Sequence, residues 1–60
     1  MLVRFNKGIK AVEYSLDNIP RVGETVWVED DGNREMNGVV DRVIWSFALA
    51  ERPVATVILE

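Results

Sequence analysis

Hydrophobic and polar positions alternate along this chain in short runs, separated by polar clusters that hold glycine or proline. Thr25-Val26-Trp27-Val28-Glu29 is the cleanest run. Val26 and Val28 share one parity, Thr25 and Trp27 the other, which is the two-residue period of a half-buried strand. The longest run is Val39 to Phe47. Val39, Val43, Trp45 and Phe47 keep one parity, broken by Asp41, while Val40 and Ile44 keep the other, broken by Arg42. A strand buried evenly on one face does not read this way. A bulge near Asp41-Arg42 restores the pattern by placing Val40 and Val43 on the same inward side, and bulges occur where small barrels bend. A third run, Val54 to Leu59, follows.

The first third of the chain is also β-rich. Leu2-Val3-Arg4-Phe5 leads into Asn6-Lys7-Gly8, a turn in which glycine accepts positive φ without a Cβ clash. From Ile9 to Ser15 the alternation continues imperfectly, with Val12, Tyr14 and Leu16 on one parity, and predicts the second arm of a hairpin. Val12 and Leu16 also suit an i, i+4 spacing, so a short helix over Ala11 to Leu16 competes. Asp17-Asn18-Ile19-Pro20 ends this region, because Pro20 lacks a backbone donor and drives Ile19 to extended geometry.

Between the second and third regions, Asp30-Asp31-Gly32-Asn33 is a turn cluster, and Asn37-Gly38 offers another turn dipeptide too soon for two full hairpins. The expectation is an exposed loop from Asp30 to Met36, with strand resuming at Asn37 or Gly38. Ala48 to Pro53 reads as a connector, with a helical turn over Ala50-Glu51-Arg52. These runs predict an all-β, small antiparallel barrel of about five strands, a single domain over 1–60. Its interior should contain Val26, Val28, Val40, Val43 and Val57.

Sixty residues lie near the lower limit at which a chain buries enough apolar surface to fold alone. So small a core leaves little room for a substrate cavity, and the expectation is a protein that is not an enzyme and takes no small-molecule substrate. The chain has neither cysteine nor histidine, which removes disulfides, thiolate zinc sites and imidazole bases from consideration. No cofactor and no metal are expected. A cysteine-free chain with no secretory or membrane-spanning apolar run points to a cytoplasmic protein without membrane association. Ten acidic and seven basic side chains give a net charge of −3. The basic residues are scattered, so nucleic-acid binding, which rests on Lys and Arg displacing counterions, is disfavoured.

Gly23-x-x-Val26-x-Val28, a loop, then Gly38-x-Val40-x-x-Val43 and a later β run resemble the core of SH3-like barrels of the KOW type. The likeness covers about Gly23 to Leu59. It implies that Gly38 lies at a bend where two strands pack closely. KOW modules bound to ribosomal or transcription machinery carry Lys and Arg in the loop between those strands. Here that loop, Glu29 to Glu35, is acidic, so the resemblance supports the fold rather than RNA binding. The entry Pro20-x-Val22-Gly23-Glu24 also resembles short bacterial and phage proteins of unassigned role.

Trp27 is the sharpest functional candidate. If Val26 and Val28 point inward, its indole points out, where Trp is enriched in binding hot spots. Glu29, Asp30 and Asp31 would then supply an acidic rim. Tyr14 is expected to pack beside it. Trp45, with Phe47, is divided between two readings, core and contact surface, of which core is the expected one. The partner-binding set is therefore Trp27, Tyr14, Glu29, Asp30, Asp31 and Trp45, for a protein partner or a second copy. The carboxylates at Glu29-Asp30-Asp31 fail the EF-hand template and read as a solvated loop that discourages edge pairing. Arg21, Arg42 and Arg52 are expected to make surface ion pairs rather than a phosphate patch.

Overall fold

A computed structural model describes residues 1–29, 35–48 and 51–60. Among these residues it shows five strands and no helix: β1 (Leu2–Lys7), β2 (Lys10–Ser15), β3 (Thr25–Glu29), β4 (Glu35–Ala48) and β5 (Glu51–Leu59). They form one sheet in the order β2-β1-β5-β4-β3, nearly closed into a small all-β barrel compatible with an SH3-like fold. Three pairs of neighbours are antiparallel, but β1 runs parallel to β5, with Val3 to Asn6 opposite Ala55 to Ile58. The sheet is therefore mixed rather than wholly antiparallel. Strand parity cannot reveal this, because alternation looks the same in either direction.

The N-terminal region is the expected hairpin. Val3 faces Tyr14 and Phe5 faces Val12, and the turn places Gly8 at φ 61°. The strand outcompetes the helix over Ala11 to Leu16 because β1 satisfies its backbone and Val12 enters the core. Leu16 extends the pairing by donating its N–H to the Met1 carbonyl at 2.8 Å.

The core is Val3, Phe5, Val12, Met36, Val40, Ala55, Val57 and Leu59. Val40 and Val57 are buried as expected, whereas Val26, Val28 and Val43 are half-buried and pack against this cluster. For Val26 and Val28 the difference follows from strand order, and Val43 lies past Val39, where the pairing of β4 with β3 ends. β1 and β5 are interior strands, while β3 is an edge strand with a neighbour on one side only. Two further expectations are corrected. Strand resumes at Glu35, not at Asn37 or Gly38, and Met36 is a buried core residue rather than part of the loop. The connector before Pro53 is shorter than expected, since β5 begins at Glu51 and Glu51-Arg52 is extended rather than helical. Residues 30–34, which include the Asp30-Asp31-Gly32-Asn33 turn cluster, and residues 49–50 of the connector lie outside the described residues.

The register of β4 against β5 shifts between Val40 and Arg42, at the bulge the sequence predicts. It carries Val40 and Val43 into the same interior and marks a change of partners along β4. Before it, Glu35 to Val39 pair with β3; after it, Arg42 to Ala48 pair with β5 alone. Val40 itself bonds in both directions to the chain entering β3, its carbonyl accepting from the Gly23 N–H and its own N–H donating to the Glu24 carbonyl, both at 2.9 Å. Gly38 sits beside Glu60, just past the end of β5, and the Glu60 N–H donates to the Val39 carbonyl. A Cβ on Gly38 would collide with the Glu60 carbonyl oxygen, so the chain approaches this glycine closely.

Candidate interaction site

The two edge strands, β2 and β3, meet across the opening of the barrel. Tyr14 bridges them: its hydroxyl oxygen accepts a hydrogen bond from the Glu29 N–H at 3.0 Å. The ring is fixed from below by an edge-to-face contact with the buried Phe5, with centroids 6.3 Å apart and planes at 76°. This arrangement uses both halves of an amphipathic side chain, the ring against the core and the hydroxyl on a backbone donor.

Around that bridge lies an open groove lined by Phe5, Tyr14, Leu16, Trp27, Val28 and Glu29. Trp27 is 60% exposed, while Val26 and Val28 turn inward against the core. The outward indole expected from parity is therefore present, beside Tyr14 as predicted. In the β3–β4 register Trp27 faces Asn37, and the next outward position pairs Glu29 with Glu35. Two carboxylates directly opposite one another repel, and Lys7 and Lys10 line the same hollow as Glu35. Asp30 and Asp31, the rest of the expected acidic rim, lie outside the described residues.

Trp45 does not join this group. It stands on β4 opposite the buried Ala55, beyond the bulge, whereas Trp27 is opposite Asn37 at the other end of the same strand. Nor is it core: Trp45 is 45% exposed and Phe47 is 73% exposed, and their rings stack at 6.3 Å with planes 16° apart. Both keep the inward parity of Val43. They lie past the end of the interior, where β4 and β5 continue as a hairpin without β3 beside them. Parity shows which side a residue takes, but not whether the body of the protein extends that far.

The charged residues remain dispersed. Arg4 meets Glu13 across β1 and β2 at 3.1 Å, and Arg42 approaches Asp41 at 3.9 Å, both exposed. Lys7 donates from its ammonium to the Asn37 carbonyl, tying the end of β1 to β4. Among the described residues no group of three or more acidic side chains is placed to hold a metal ion, and no helix is long and apolar enough to cross a membrane. The sequence matches no protein-family model, and neither a curated protein nor a solved structure matches the chain.

Proposed function

We propose that this protein is a non-enzymatic protein-interaction module that captures a basic segment of a partner on the Trp27 groove. The observation that carries this reading is the exposed indole beside the facing carboxylates of Glu29 and Glu35. Like charges directly opposite one another cost a sheet stability, and a Lys or Arg laid between Glu29 and Glu35 lowers that repulsion. Trp27 and Tyr14 supply the apolar floor for the rest of the segment, in the pattern of an apolar anchor with a polar rim. The cysteine-free composition supports a cytoplasmic setting, and the resemblance to short bacterial and phage proteins supports an origin of that kind.

Co-purification of a tagged copy from its native host tests the reading. Trp27→Ala and Glu29→Gln should each release the captured protein, and rising salt should weaken capture. The melting temperature of Trp27→Ala should stay close to that of the parent. Capture unchanged in both variants contradicts the proposal. Sub-micromolar binding of mixed DNA or RNA with a steep salt dependence would replace it with a KOW-type accessory role.

A further inference from the structure

The sheet guards its exposed edges unevenly. Along the distal hairpin, the outer edge of β5 carries Arg52 and Pro53, and Met1, Leu2 and Ser15 lie beside it. A charge and a proline are standard obstacles to strand addition, since proline offers no donor and a charge resists burial. At the barrel opening, the edges of β2 and β3 face each other and are joined through Tyr14. The outer edge of β4 from Val43 to Phe47 carries no charge or proline, and its register on β5 stays regular from Arg42 to Ser46 before shifting again between Ser46 and Ala48. Its pairing with β3 ends at Val39, no described strand pairs with Val43 to Phe47 on that side, and Val43-Ile44-Trp45-Ser46-Phe47 contains no charge, proline or glycine. Four of its five residues are β-branched or aromatic, the composition that favours strand pairing.

We propose that this β4 edge pairs with the same edge of a second copy of the chain, forming a closed dimer. The occupant follows from symmetry and charge. An antiparallel pairing about a two-fold axis at Trp45 is self-complementary. It sets Val43 opposite the second copy's Phe47, Ile44 opposite its Ser46, and Trp45 opposite its own counterpart. No charged residue meets a like charge in these five positions, although the molecule as a whole carries −3. The Trp45–Phe47 stack of each copy then covers that of the other on one face of the joined sheet, and aromatic and aliphatic cross-strand pairs stabilise such ladders. The residual repulsion between two acidic molecules is screened by salt, so association strengthens as salt rises. That is opposite to the behaviour expected of a basic partner on Trp27, and the two surfaces are independent.

Sedimentation equilibrium on the full chain, from micromolar to about millimolar concentration, tests this. The average mass should climb from 6.8 kDa towards twice that value and stop there. Phe47→Asp and Ser46→Lys, both at exposed positions, should each raise the dimer dissociation constant by about tenfold or more. Thermal melts at low concentration should show both variants still folded, and Trp27→Ala should leave the dimer unchanged. A chain that stays monomeric throughout, association indifferent to both edge variants, or growth beyond the dimer would overturn the proposal.

Discussion

Val57 and Phe47 occupy equivalent positions, one on β5 and one on β4, each on the parity that faces the interior. Val57 is fully buried, while Phe47 is 73% exposed. The difference lies in what surrounds each strand. Around Val57, β5 has β1 on one side and β4 on the other, so three strands enclose the side chain. Around Phe47 the barrel has ended, and β4 has β5 as its only described neighbour. The same alternation thus builds a core in one half of the β4–β5 pair and an open aromatic face in the other. A side chain's worth to folding depends on the neighbouring strands rather than on its own hydrophobicity.

The largest test of that contrast compares two phenylalanines. Phe5→Ala removes a ring that is 1% exposed and should cost about 3–5 kcal/mol, enough to unfold much of so small a domain. Phe47→Ala should cost within roughly 0.5 kcal/mol, as surface changes do. Urea midpoints measured at low protein concentration decide it, and comparable losses in the two variants would place Phe47 in the core. Next in size is Gly38→Ala, where the new Cβ meets the Glu60 carbonyl oxygen and backbone must move. A loss of about 1–3 kcal/mol is expected from such overpacking. A neutral result in the same urea titration would mean that Glu60 lies clear of Gly38.

Tyr14→Phe keeps the ring on Phe5 and removes only the oxygen that receives the Glu29 N–H. The expected loss is about 0.5–1.5 kcal/mol, together with faster amide exchange at Glu29; unchanged exchange would show that the bridge across the opening does not form in solution. The smallest effect belongs to the exposed Arg4–Glu13 pair. A double-mutant cycle there should return a coupling of about 0.2–1 kcal/mol, decreasing with salt.

Much of the barrel was legible in the sequence because local chemistry dictates it. The N-terminal hairpin follows from Gly8 and the alternation on either side. The bulge follows from two parities that collide at Asp41-Arg42, and the outward Trp27 from the valines flanking it. What was not legible depends on which strands become neighbours. The parallel β1–β5 pairing brings Val3, Phe5 and Val57 together in the core, and no local pattern encodes that choice. Met36 was assigned to a loop because Asn37-Gly38 has the composition of a turn, but β3 pairs straight through both residues. The exposure of Trp45 escaped for the same reason, since its parity is that of a core residue. Of the expected site, Trp27, Tyr14 and Glu29 come together in one groove, whereas Trp45 belongs to the separate hairpin.

Amide hydrogen exchange along β4, at low and high protein concentration, tests most directly the claim that the barrel folds while the hairpin edge associates. In an antiparallel strand, successive N–H groups point to opposite edges. In dilute solution, one alternate set between Val43 and Phe47 should be protected by β5, and the other should exchange as rapidly as the turns. At high concentration the second set should slow while the buried amides of β1 remain unchanged. Identical exchange at both concentrations would contradict the account, whether the outer set is always fast or always protected.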